Sequence, residues 1–319
     1  MKKAFFASPG PKTMKESLTL FFKGVCMGGA DIIPGVSGGT IALITGIYAK
    51  LLAAIKSIDI NFFKKLLKFQ IKDALAGVHI RFLLVLFSGI AIAIISLARL
   101  MNFLLKTHPE PTFSLFVGLI AASTFVIGKQ VKWKTSSIVS IILGAVVAYV
   151  VVGLIPVNTP VELWFIFLSG VIGICAMILP GLSGAFILLI LGKYEYITGT
   201  LKAPFSVNEI SGDHNLLVVL VFCAGCAIGL AGFSRFLNWL LSKWHNVTLA
   251  FLTGLMAGSM RKIWPWKGEA VTKIIRDKEH IISQENIFPQ SFDTNLMISL
   301  ALIVVGIVFI LVLDKKSKS

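Results

Sequence analysis

The 319-residue sequence predicts an all-α polytopic membrane protein made of two inverted-topology repeats, each a Pro/Gly-broken helical hairpin followed by three transmembrane helices. Three observations lead there. First, 56% of the residues are hydrophobic and 14% charged, with a mean hydropathy of +0.88, whereas about a quarter of a soluble domain is charged. Second, the apolar residues come in runs of about twenty, long enough to cross roughly 30 Å of hydrocarbon as helices, and no alternating ten-residue pattern suggests a barrel. Third, an apolar stretch broken by Pro-Gly-x-Ser-Gly occurs twice.

The first copy reads GVCMGGADIIPGVSGGTIALITGIYAKL from Gly24, the second GVIGICAMILPGLSGAFILLILGKYEYI from Gly170. Setting Pro34 on Pro180 aligns Gly35/Gly181, Ser37/Ser183, Gly38/Gly184, Gly46/Gly192 and Tyr48/Tyr194. Downstream, RLMNFLLK from Arg99 matches RFLNWLLS from Arg235, and FVGLIAAS from Phe116 matches LTGLMAGS from Leu252, so that Asn102/Asn238 and Gly118/Gly254 pair as well. The N-terminal repeat is therefore 1–157, with a hairpin at about 16–54 and spans at about 80–105, 112–128 and 136–155. The C-terminal repeat is 158–319, with a hairpin at about 162–198, spans at about 215–241, 247–263 and 295–313, and an added polar insertion at about 265–294.

Each broken segment would reach about 55 Å as one helix, too long for a single crossing, so a hairpin turning at Pro34–Gly35 or Pro180–Gly181 fits better. A hairpin, re-entrant or spanning, contributes an even number of crossings; three further spans make each repeat odd, and the two must face opposite ways. With the N-terminus inside, the inner segments collect Lys2, Lys3, Lys12 and Lys15, six basic residues from Lys56 to Arg81, then Lys129, Lys132, Lys134, Lys243, Lys315, Lys316 and Lys318. The insertion, with Arg261, Lys262, Lys267, Lys273, Arg276 and Lys278, runs against this bias, although Glu269, Asp277 and Glu279 are mixed in. The net charge of +15 thus belongs to the membrane connections and not to a nucleic-acid surface. Pro9, Gly10, Pro11 and Lys12 interrupt the basic start before an apolar stretch develops, so no cleaved signal is expected. Cys223 and Cys226 form a CxxC without a second pair or a His cluster, and read as packing residues.

A helix break in hydrocarbon exposes backbone groups that protein, water or ligand must satisfy. Ser37 and Ser183 are placed to N-cap the returning helices, where the amides of Gly38, Gly39 and Thr40, or of Gly184 and Ala185, form an anion site. The alternative is a pair of tight turns whose serines satisfy their own backbone. Arg99 and Arg235 lie within spans, one nearer each face; they serve either as phosphate ligands or as snorkelling interfacial charges. Asp31, the acid closest to a hairpin tip, with Met177 at its equivalent position, is the candidate for coupling to a proton or sodium gradient, or else a partner of Arg99 or Lys23. Lys23, Lys50, Lys193 and Glu195 read as interfacial. There is no metal-ligand spacing among the histidines, no P-loop, no dinucleotide fingerprint and no nucleophile–base set, so neither a cofactor nor a metal is expected.

MGGADIIPGVSGGT, from Met27 to Thr40, and ILPGLSGAFILLILGKYEYI, from Ile178 to Ile197, resemble the two signature regions of the PopT-type polyprenyl-phosphate transporters, a family long catalogued as a membrane domain of unknown function. The resemblance covers about residues 12–313. It implies a bacterial inner-membrane protein with cytoplasmic termini that returns undecaprenyl phosphate to the cytoplasmic leaflet for envelope biogenesis. The expected arrangement has phosphate between the hairpin tips, held by Ser37, the Gly38–Thr40 amides, Ser183, Gly184 and one or both arginines, while the repeats rock and the prenyl tail stays in lipid. Gly39 against Ala185 and Asp31 against Met177 break the symmetry. An ion-coupled transporter or channel for a small soluble anion, or an intramembrane lipid-phosphate enzyme, are the other readings.

Overall fold

The computed structural model describes residues 8–32, 37–157, 159–203, 205–207, 214–275, 278–289 and 292–318. Pro34 and Gly35 lie outside them, as does Arg276. Helix α1 (Met14–Asp31) starts at Thr13, whose hydroxyl accepts the Glu16 amide. Next come α2 (Gly38–Ile44) and α3 (Tyr48–Lys56), bent by 116° from each other. Two short helices follow, α4 (Ile60–Leu67) and α5 (Ile71–Gly77), then α6 (Ile80–Thr107), α7 (Pro109–Gly128) and α8 (Thr135–Val151). The second broken segment is α9 (Leu163–Ile178), α10 (Gly184–Ile190) and α11 (Tyr194–Lys202), followed by α12 (Asn215–Lys243) and α13 (His245–Ile263). The chain ends with β1 (Lys267–Ile275), β2 (Lys278–Asn286) and α14 (Thr294–Lys318).

Helices α6, α7, α12 and α14 are long and apolar enough to cross a membrane, and the bent pair α2–α3 passes the same test when taken together. Their lipid-facing sides are apolar and exposed, as at Ile95, Phe125, Leu220 and Val304. The chain is a polytopic α-helical membrane protein. Helices α8 and α9 are shorter apolar helices, and α13 is buried along much of its length between α7 and α8. Helix α4 carries Lys64, Lys65 and then Lys68, with Leu66, Leu67 and Phe69 exposed, the composition of a helix lying in a membrane interface.

The polar insertion holds an antiparallel hairpin, pairing Lys267 with Asn286 and Ile275 with Lys278. Its β-branched runs, Val271-Thr272 and Ile281-Ile282, are the signal that favours strands. Trp266 Nε1 donates to Glu110 Oε1 at 2.8 Å, fastening the hairpin to the start of α7.

Glycine contacts fix the directions of the helices. Added Cβ atoms on Gly24 and Gly28 would fall 2.3 and 2.6 Å from the carbonyl oxygens of Leu86 and Ile90, so α1 and α6 run the same way. The same holds for α9 and α12, where Gly225 meets Phe167 and Gly229 meets Val171. It holds again for α8 and α13, with Gly254 against Ile141 and Gly258 against Ala145. In α7 and α14, Glu110 accepts from Ser299 and Gly306 lies against Leu115. Helices α7 and α13 instead oppose each other: Lys132, just past α7, reaches Asn246 near the start of α13, while Gly128 lies against Thr253 further along. Helices α1 and α6 therefore both start at one end of the bundle, and α9 and α12 both start at the opposite end. We call the end holding the start of α1 the near end and the other the far end.

Candidate substrate site at the hairpin tips

Both returning helices are built alike. Ser37 and Ser183 have extended backbone and N-cap α2 and α10, their hydroxyls accepting from Gly39 N at 3.1 Å and Phe186 N at 3.5 Å. Both helices end in a left-handed glycine, Gly46 at φ +70° and Gly192 at φ +61°. The amides that follow close back onto the helix, Ile47 to Ala42 O at 2.9 Å and Lys193 to Leu188 O at 2.8 Å. Pro180 and Gly181 form the second turn, and Gly181 has φ +86° with its α-carbon pressed against the backbone of Leu255 and Met256.

The two hairpins meet at their tips. Ser37 Oγ lies 3.3 Å from the carbonyl oxygens of both Met177 and Leu179, Tyr48 Oη donates to Ile178 O at 3.1 Å, and Gly181 N–H donates to Thr40 Oγ1 at 2.9 Å. A Cβ on Gly39 would fall 2.7 Å from Ile178 O, so glycine allows the two backbones to approach this closely. The carbonyls at the end of α9, which a broken helix leaves without intrahelical partners, are thereby satisfied by the opposite hairpin. Thr40→Val should leave the Gly181 amide unpaired in a buried site and cost about 1–3 kcal/mol, seen as a lower unfolding temperature in detergent; an unchanged temperature would show that the bond is dispensable.

The amides expected to meet an anion already have partners. Gly38 N–H donates to Asp31 Oδ1 at 2.6 Å, Gly39 N–H to Ser37 Oγ, and Thr40 N–H to Ser37 O at 2.9 Å. The chain's own carboxylate therefore sits where an anionic ligand would sit, at the start of α2. Sequence reasoning did not assign Asp31 this partner, because Met177 at the equivalent position gives no counterpart.

Ser37, Gly38, Gly39, Thr40, Asp31 and Gly181 come together; Ser183 and Gly184 lie one turn away, with Gly184 packed on Gly173 and Met177. Arg99 and Arg235 do not join these contacts. Arg99 is exposed on α6, and Arg235 Nη1 donates to Ala231 O on its own helix at 2.8 Å. The Phe62 amide holds Asp59 below the usual carboxylate range, and the charge of Arg235 acts weakly in the same direction. Each arginine lies eight residues before the last residue of its helix, Thr107 or Lys243, roughly 12 Å from that end and away from the middle. One cation that the sequence places with the insertion packs closer: Lys262 Nζ lies 4.4 Å from the centre of the Phe186 ring, near the start of α10. Among the described residues, no group of three or more His, Cys, Asp and Glu side chains has a metal-binding arrangement.

An apolar groove of 280 Å³ runs from Thr40 between α1, α6, α7 and α14, past Leu97, Met101, Phe116 and Ile310. A second, of 520 Å³, lies between α8, α12 and α13, lined by Leu179, Phe233, Leu237, Trp244 and Phe251. In the repeat register Leu97 and Met101 correspond to Phe233 and Leu237, so each hairpin has an apolar groove on an equivalent flank.

No solved structure matches the chain. A protein of Vibrio cholerae serotype O1 named polyprenyl-phosphate transporter is 42% identical over 316 residues, covering 95% of this chain and 98% of the relative. A protein of the same name from Staphylococcus aureus is 29% identical over 257 residues, covering 76% and 84%. A family model described as undecaprenyl phosphate translocase-like matches residues 27–281, a stretch that runs from the last turns of α1 through the second hairpin and into β2, and the chain belongs to that family.

Proposed function

We propose that this chain carries polyprenyl phosphate, in bacteria undecaprenyl phosphate, from one leaflet of the cytoplasmic membrane to the other, returning the lipid carrier for envelope synthesis. The observation that carries this reading is end-to-end similarity to a relative named for that cargo, over 95% of the chain. The family and its relatives are named as transporters, and the chain is read as a transporter rather than an enzyme. Its grooves suit the cargo: an apolar channel reaches Thr40 from the bundle's flank, so a prenyl tail has an apolar path while the head moves through the protein.

The reading extends to two inverted repeats, residues 1–157 and 158–319, rocking about the hairpin tips. Helix directions support it. Exchanging the repeats turns the pair α8 and α13 into α14 and α7, and both pairs are parallel, while the equivalent helices α7 and α13 run oppositely. With these directions the start of α1 and the end of α14 share the near end with the lysines of α4, which favours a cytoplasmic near face. The phosphate passes between the tips when Asp31 releases the Gly38 amide, by taking up a proton or turning to a sodium ion. Ser37, Thr40, Ser183 and Gly184 then line its path, with Arg235 nearer the cytoplasmic face and Arg99 nearer the outer one.

The deciding experiment is leaflet-resolved undecaprenyl phosphate in cells depleted of this protein and of redundant transporters. Lipid should accumulate on the outer leaflet, and wild type should restore it while Arg99→Ala and Arg235→Ala restore it poorly. An unchanged distribution on depletion removes the cargo assignment. Rescue by both arginine variants at wild-type levels removes only the arginines.

A further inference from the structure

A cavity of 560 Å³ opens at the near end, in the crook between α1, the α2–α3 bend and the start of α6. Three ammonium side chains line it, Lys15 and Lys23 from α1 and Lys50 from α3, together with His79, which precedes the first residue of α6. One acid, Glu16, lies among them, and its Oε2 accepts the Lys12 backbone N–H at 2.7 Å. Lys23 Nζ gives one donor to Thr45 O at 2.7 Å and keeps two. Lys23 and Lys50 thus face one cavity, where Glu16 is the one lining carboxylate among the described residues. His79 Nδ1 is buried and has no hydrogen-bond partner among the described residues.

Such a set repels itself unless an anion joins it. Snorkelling explains a lysine that reaches outward to headgroups, but the Lys23 ammonium turns inward onto the hairpin backbone. We propose that this cavity binds the phosphate monoester group of the cargo at the near face, as a station separate from the hairpin tips. The proposal rests on the polyprenyl-phosphate reading for the identity of its ligand. A phosphate monoester brings nearly two negative charges and three acceptor oxygens, which match the surplus of Lys15, Lys23 and Lys50 and a ring N–H at the unpartnered Nδ1 of His79. Lys23 and Asp31 are eight residues apart on α1, so the station lies about 12 Å from the tip along one helix.

The station is one-sided. In the repeat register Lys15, Lys23 and Lys50 correspond to Val161, Ser169 and Tyr196, so the second hairpin has no matching set of ammonium groups. A head group arriving at the near face is held there by charge, which biases the two faces of an otherwise repeated architecture.

The test is equilibrium binding to the purified full chain in nanodiscs, with polyprenyl phosphate, polyprenol and inorganic phosphate as separate probes. The Lys15→Gln/Lys50→Gln variant should bind polyprenyl phosphate at least tenfold more weakly than wild type and polyprenol equally well. Lys15→Arg/Lys50→Arg should retain the affinity, and gel filtration with an unfolding curve checks that each variant is folded. If inorganic phosphate binds wild type and is lost in the Gln variant, the cavity recognises the phosphate group alone; if it neither binds nor competes, recognition requires the lipid ester. A folded Gln variant that binds polyprenyl phosphate as tightly as wild type overturns the station while leaving the transport reading standing. Wild type that binds no polyprenyl phosphate overturns the transport reading itself.

Discussion

The Asp31→Asn protein should fold and reach the membrane, yet move polyprenyl phosphate across proteoliposomes at least tenfold more slowly than wild type. Asparagine keeps an Oδ1 that can accept the Gly38 N–H, so the 2.6 Å bond at the start of α2 survives and the hairpin tip keeps its shape. What is lost is the charge that can be switched. The carboxylate holds the Gly38 N–H until a proton or a sodium ion draws it away, and only then is that amide free to meet the phosphate. With an amide neither event changes anything, so the rate should also lose its dependence on pH or sodium, whichever wild type shows. Asp31→Ala makes the contrast: it removes the acceptor too, exposes a buried amide, and should cost about 1–3 kcal/mol of stability in addition to the rate. Wild-type transport by a folded Asp31→Asn protein would exclude Asp31 from coupling.

Much of the architecture was legible because membrane helices leave few choices. A Pro-Gly break inside an apolar run demands a hairpin, and a serine two residues later demands a cap, so Ser37 and Ser183 could be placed from sequence alone. Gly46 and Gly192 aligned for a reason that the backbone explains, since both are the left-handed ends of seven-residue helices. Partners across the bundle were not legible. Nothing in the spacing says that Tyr48 reaches Ile178 or that Thr40 receives Gly181, because those bonds join residues 130 and 141 positions apart and depend on how the two hairpins abut. For Arg99 and Arg235, distance from the helix end gave depth, but sequence carries no information about which neighbour each side chain faces. The insertion was judged by its charges, and its β-branched pairs were passed over.

Valine at Gly118 or Gly254 should abolish the folded protein. The two positions align in the repeat, and both are places where another helix touches the α-carbon: an added Cβ would fall 2.1 Å from Ile303 O or from Ile141 O. The obstructing atoms are backbone, so no rotamer change relieves the clash, and the helices must part by about an ångström or more over their contact. Helix pairs in lipid are held by close packing of small residues, without the hydrophobic drive that would re-seal a gap in water. Over-packing of an ordinary core costs about 1–3 kcal/mol, and a backbone clash along a whole helix pair should exceed that, against a total stability of about 5–15 kcal/mol. For Gly254 the loss is functional as well, since Leu255, the next residue, supports the Gly181 turn. Gly232→Ala on α12 is the control: nothing lies within 4 Å of its added Cβ, and replacing a mid-helix glycine there should leave stability unchanged or raise it by up to about 1 kcal/mol. Fluorescence-detected gel filtration of the three variants separates the cases. A monodisperse Gly254→Val protein with the wild-type unfolding temperature would mean that α8 and α13 do not meet at this glycine, and the helix directions drawn from that contact would have to be redrawn.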